Sequence, residues 1–114
     1  MDISSENYSV TYDPAIATIT CKGSLRLYGA AGYASVADLF SNVANEKPPV
    51  ITLRVSELQF LNSSGINAFS KFVINVRNNN TSKLVVEGSH QYSWQSKSLK
   101  NLQRLMPDLE LKLE

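Results

Sequence analysis

The chain has one cysteine and one histidine in 114 residues, and both scarcities exclude chemistry. Cys21 has no partner for an internal disulfide, and neither Cys21 nor His90 has a companion at metal-ligand spacing, so no metal site is expected. Long apolar runs are missing too. Nothing approaches the roughly 18 residues of a membrane span, and the start, Met1-Asp2-Ile3-Ser4-Ser5-Glu6, has neither a basic opening nor an apolar stretch. A cytoplasmic protein without membrane association is expected. Charge of one sign is not in excess: eleven basic against ten acidic residues leave +1, too balanced for the basic footprint of a nucleic-acid binder. Glycine-rich phosphate loops are absent, and no Gly-x-Ser-x-Gly elbow surrounds any serine that His90 would have to serve. No catalytic residue and no cofactor are therefore expected, and the chain is not read as an enzyme.

What is present is a core. A hydrophobic content of 43% supports one domain spanning residues 1–114, because a chain of this size buries roughly two-thirds of its unfolded surface. Residues 8–12 and 15–21 are β-prone runs split by Asp13-Pro14, a turn dipeptide, and so predict a hairpin with Cys21 as a strand residue. After Lys22-Gly23-Ser24 and a Gly/Ala-rich connection, Val36, Leu39, Phe40 and Val43 recur at helical spacing and stop before Pro48-Pro49. Residues 50–55 are nearly continuous in apolar and β-branched side chains, which predicts a central strand. Ile66, Phe69, Phe72, Val73 and Val76 then set a second helix, closed by Asn78-Asn79-Asn80. Residues 83–87 predict another strand, and a third helix from about Ser93 carries Trp94, Leu99, Leu102, Leu105 and Met106 inward. Leu109, Leu111 and Leu113 alternate with charges as a half-buried edge strand. The order is β-β-α-β-α-β-α-β, an α/β domain with a mixed, mostly parallel sheet.

The most informative stretch is Phe60-Leu61-Asn62-Ser63-Ser64-Gly65-Ile66, which joins the central strand to the second helix. Its serines fall at a helix N-terminus, where a hydroxyl caps unpaired amides and where the helix dipole favours a phosphate. Ser63 is the expected cap, and the residues alone leave open whether a hydroxyl here only caps or also carries a phosphate. Gly65 either admits a partner's backbone or relieves crowding in the first turn. Lys97, Lys100 and Arg104 share one face of the third helix, read as a solvated polar face. Tyr28 and Tyr33 are interface or core-closing aromatics.

This element order, with its Ser-Ser-Gly turn, resembles the STAS domain of bacterial anti-sigma factor antagonists over nearly the whole chain. The stretch 60–66 is similar to the family's aromatic/apolar-Asp-Ser-Ser-Gly-Leu signature, and Lys22-Gly23-Ser24-Leu25-Arg26 is a weaker match to Gly-Glu-Leu-Asp. The resemblance implies a protein-interaction switch in transcription control. Its partner would be an anti-sigma factor that is also a serine kinase, with a serine phosphatase in opposition, and its phosphorylated residue would be Ser64. The implied contact surface comprises Asn62, Ser63, Ser64, Gly65 and Asn67 together with Ser24, Arg26 and Tyr28. Asn62 stands where the signature has aspartate, and Ser24 and Arg26 stand where the family has carboxylates. Those neutral and basic replacements leave a second reading, a non-phosphorylated STAS scaffold or accessory subunit of a signalling or transport complex. The shared strand-to-helix end also predicts that Arg26 lies near the serine turn, within reach of a phosphate on Ser64.

Overall fold

The computed structural model describes residues 2–114 and contains six strands and four helices in one sheet with one helical layer. The strands are β1 (Asp2–Ser4), β2 (Tyr8–Asp13), β3 (Thr18–Leu25), β4 (Val50–Leu61), β5 (Lys83–Gly88) and β6 (Glu110–Leu113). The helices are α1 (Gly29–Gly32), α2 (Ala34–Glu46), α3 (Ser63–Asn79) and α4 (Ser93–Leu105). The spatial order is β1-β2-β3-β4-β5-β6, with β1, β2 and β3 antiparallel and β3 to β6 parallel. The expected α/β class and mixed, mostly parallel sheet are present. Two elements go beyond the expected order: the three-residue strand β1, and the single turn α1 in the Gly/Ala-rich connection.

One face of the sheet is covered and the other is open. In β4, Ile51, Leu53 and Val55 are buried while Thr52, Arg54 and Ser56 are not, the alternation of a strand packed on one side. The covered face meets the apolar stripes of the helices: Val36, Leu39, Phe40 and Val43 from α2, Phe69, Phe72, Val73 and Val76 from α3, Leu99 and Leu102 from α4. Phe40 anchors the seam between α2 and α3, with its ring centroid 5.2 Å from that of Phe69 and 4.8 Å from that of Phe72. The open face carries cross-strand ion pairs, Arg54 with Glu87 at 2.7 Å and Lys22 with Glu57 at 3.4 Å. The helices end as their sequences dictate. Lys47 and Asn80 take left-handed conformations just past α2 and α3.

β4 is longer than the apolar run suggests. Against β3, Thr20 and Lys22 face Arg54 and Glu57, and Gly23 and Ser24 face Leu58 and Phe60, so β4 holds one extra residue at each of two bulges. Each bulge shifts the inward phase, from Val55 to Leu58 and from Leu58 to Leu61. The strand therefore runs six residues past Val55 and delivers Asn62 directly to the start of α3. β3 likewise runs to Leu25, past the Lys22-Gly23-Ser24 stretch expected in a connection. No helix among the described residues is long and apolar enough to cross a membrane.

Candidate functional site

At the end of β4 the helix cap is Asn62, not Ser63. Asn62 has extended backbone, and its Oδ1 accepts from the Gly65 amide at 2.9 Å. The same oxygen accepts from the Tyr33 hydroxyl at 2.7 Å, and Nδ2 donates to the Leu27 carbonyl at 2.7 Å. The Asn62 main chain adds two bonds, donating to Leu25 O at 3.2 Å and accepting from Ile66 N at 2.9 Å. One residue thus ties the end of β3, the connection after it, the start of α2 and the start of α3. Ser63 loses the capping role because it already lies inside the helix, with its side chain in solvent.

Tyr33 belongs to the core. It is 1% exposed, and burial holds its phenol above the ordinary value, so it remains a donor to Asn62 well into alkaline pH. Gly65 is buried against the same group: a methyl there would meet Leu61 Cδ1 and lie 2.7 Å from Tyr33 Oη. Of its two sequence-level roles, the relief of crowding is the one the geometry requires.

Ser64 is the second residue of α3 and is half-exposed. Its Oγ accepts from the Gly29 amide at 3.1 Å, linking α3 to the first residue of α1. Gly29 needs its glycine, with φ at +61°. Tyr28, immediately before it, is 94% exposed. The Ser64 hydroxyl is therefore the tether of a turn that holds a bare aromatic ring in solvent. In α3 the amides of Ser63 and Ser64 lie ahead of the capped Gly65 amide, with no acidic side chain in the first turn to meet them.

Ser64 also opens onto a groove of about 250 Å³ between α2 and α3. Its floor is Tyr33, Ala37, Phe40, Ala68 and Phe72, and its rim includes Ser41, Ser64, Asn67, Lys71 and Asn75. Asn67 is exposed, one turn along α3 from Ser64. Ser24 and Arg26 lie elsewhere. They line a shallower hollow of about 660 Å³ with Glu6, Asn7, Tyr8 and Gln59, which shares no residue with the groove. The Arg26 guanidinium sits over the Phe60 ring, 4.1 Å from its centroid, a cation–π contact. Arg26 reaches the same end of the sheet as the serine turn, yet its charge is directed at Phe60. The eight expected contact residues thus divide into Tyr28, Ser63, Ser64 and Asn67 at the turn and groove, Asn62 and Gly65 in the scaffold beneath them, and Ser24 and Arg26 on the second hollow.

Sequence reasoning missed Gly29 and Lys71. Lys71 was detectable, because it lies seven residues after Ser64 and so on the same side of α3. Gly29 was not, since its bond to Ser64 spans 35 residues.

The chain matches no protein-family model and no curated protein. It does share its fold with a solved structure, that of the Pseudomonas aeruginosa diguanylate cyclase SiaD in complex with its activator SiaC. The similarity is to SiaC, at a TM-score of 0.73 and 10% identity, over 100% of this chain and 99% of that one. The shared architecture is the STAS-like α/β fold.

Proposed function

We propose that this chain is a non-enzymatic, partner-binding regulatory domain of the cytosol whose contact surface is the Tyr28 turn and the first turns of α3. Its switch is phosphorylation of Ser64, as in an anti-sigma factor antagonist. The observation that carries the reading is the Ser64 hydroxyl itself, half-exposed at a helix start and tethering the turn that displays Tyr28. SiaC, which has the same fold, acts on a diguanylate cyclase as its activator, so a protein partner suits this architecture. The partner proposed here is an anti-sigma factor with serine-kinase activity, and a serine phosphatase resets the switch.

The energetics place the switch between molecules. A phosphate on Ser64 adds about −1.5 to −2 charge, and the helix N-terminus favours it by roughly 0.3–1 kcal/mol. The domain stays folded. Weakening of the Gly29 bond at the ester oxygen costs at most about 0.5–1.5 kcal/mol, spent locally on the Tyr28 turn. A doubly charged group forced against a partner's desolvated or like-charged surface costs several kcal/mol, and that term dominates.

Phosphopeptide mass spectrometry on protein from its own host, with pull-downs by wild type, Ser64→Ala and Ser64→Asp, tests the reading. A phosphate at Ser64 and partner recovery by wild type and Ser64→Ala but not Ser64→Asp are expected. Equal recovery by all three, with no phosphate under any growth condition, replaces the switch with a constitutive scaffold.

A further inference from the structure

The groove beside Ser64 has one charge in its lining, and its placement bears on where a phosphate would go. Ser64, Asn67 and Lys71 follow one another at i, i+3 and i+7 along the α3 wall, and Lys71 is the only ionisable cation or carboxylate among the described lining residues. α3 contains no aspartate or glutamate. The nearby acid of α2, Asp38, lies outside the groove lining, in an adjoining hollow with Ile3, Ser35, Ser41 and Asn42 that meets the groove at Ser41. Lys71 makes no ion pair among the described residues, whose two salt bridges lie on the open face of the sheet. The groove therefore presents an uncompensated ammonium two turns below the hydroxyl.

We propose that Lys71 is the intramolecular receiver of a phosphate on Ser64, drawing it down along α3 into the groove, with Asn67 and the Gly29 amide as supporting donors. This inference rests on the preceding reading that Ser64 is the modified residue. In the modifying step a nucleoside triphosphate in the partner kinase gives up its terminal phosphoryl group. The bond from phosphorus to Ser64 Oγ forms, the bond to the departing nucleoside diphosphate breaks, and the hydroxyl proton passes to the kinase's base. The geometry favours Lys71 over Arg26 as the recipient. Seven residues of helix separate the Ser64 and Lys71 backbones by about 10 Å, and helical side chains lean towards the N-terminus, so Lys71 leans towards Ser64. The flexible four-carbon stem, leaning towards Ser64, spans most of that gap, and rotation of the phosphoester about its single bonds covers the remainder. Arg26 is held on Phe60 and lines the other hollow. Two consequences follow. The Tyr28 turn exchanges its hydroxyl acceptor for a phosphate oxygen, and the charge of Lys71 on the α3 wall of the groove is neutralised.

The test uses full-length protein carrying phosphoserine at position 64 by genetic encoding, so its outcome does not depend on whether the host ever modifies the residue. Phosphorus-31 NMR follows the second ionisation of the phosphate, ordinarily near pH 6. Wild type is expected to titrate about half a unit or more below Lys71→Gln, a roughly threefold difference in proton affinity, because a nearby ammonium favours the dianion. Lys71→Arg restores the wild-type midpoint, and about 1 M salt collapses the difference. Coincident midpoints for wild type and Lys71→Gln at low salt overturn the proposal while leaving phosphorylation of Ser64 intact. Lys71 is exposed, so its variants keep the fold, which the amide spectrum verifies.

Discussion

Asparagine and aspartate differ at residue 62 by one donor group, the amide NH2, and in this protein that group has a partner. Asn62 Nδ2 gives its hydrogen to Leu27 O while Oδ1 serves Gly65 N and Tyr33 Oη. An aspartate would keep both acceptor roles but set a carboxylate oxygen against the Leu27 carbonyl. The departure from the family signature is thus built into the packing of this chain. Asn62→Ala removes the cap and takes their Asn62 partner from the buried Tyr33 hydroxyl and the Leu27 carbonyl, an expected loss of about 2–4 kcal/mol. Asn62→Asp loses less, about 1–2 kcal/mol, because the cap and the Tyr33 bond survive. Urea midpoints in the order wild type, Asn62→Asp, Asn62→Ala check this, and an aspartate variant as stable as wild type refutes the role of the amide. The serine turn was legible in the sequence because a strand, a polar tripeptide and a helical period sit side by side. The cap was not. Serine is a strong capping residue in general, whereas the partners that select Asn62 lie 29 and 35 residues away in the chain.

Among the elements, β4 is where sequence and structure part most. Its inward residues after Val55 come at intervals of three, Leu58 and then Leu61, which is closer to a helical period than to the two-residue alternation of a strand. The bulges against β3 cause this, and they are invisible until β3 is aligned beside it. The extension also outruns β5, whose pairing with β4 ends at Arg54 and Glu87. Carbonyls beyond that point need donors, and the start of α4 provides them. Gln95 Nε2 donates to Val55 O at 2.7 Å and Leu58 O at 2.9 Å, Trp94 Nε1 donates to Leu58 O at 3.1 Å, and Gln95 Oε1 accepts from Ser89 N at 2.8 Å. Gln95 is 0% exposed, and it stands in phase with Leu99, Leu102 and Met106, a polar residue at a core position that the expected inward set, which began at Trp94, leaves out. Gln95→Leu keeps the volume and orphans two backbone groups, Val55 O and Ser89 N, while Leu58 O keeps its Trp94 bond, so a loss of about 2–4 kcal/mol is expected. Hydrogen exchange should localise the damage. Amides of residues 55–61, which lead into the Ser64 turn, lose protection before those of β3 or α2, and uniform loss across the sheet refutes the bracing role.

For the molecule as a whole, the sheet order follows the chain order, so each strand joins its neighbour by either a hairpin or a helix crossover. That is why the opening hairpin and the parallel pairing through crossovers were readable from the alternation of periods: no strand has to be threaded between two others. The same arrangement puts Cys21, on the third of six strands, in the middle of the core, opposite Val10 and 0% exposed. Burial pushes its thiol from 9.0 up to about 12, and burial also raises the phenols of Tyr33 and Tyr12, the latter aided by Glu46. All three shifts act in one direction on stability. Each folded-state value lies above its unfolded value, so above pH 9 the unfolded chain sheds protons that the folded chain retains, and stability falls as pH rises towards 12. Below pH 9 the thiol contributes no slope. By pH 11 the Cys21 part amounts to about 3 kcal/mol, two units at about 1.4 each. Cys21→Ala costs stability at neutral pH through the cavity it leaves, yet it removes this slope. Urea unfolding at pH 8 and pH 11 is therefore expected to show a smaller alkaline loss for Cys21→Ala than for wild type, and equal losses would mean that the thiol ionises without the core opening.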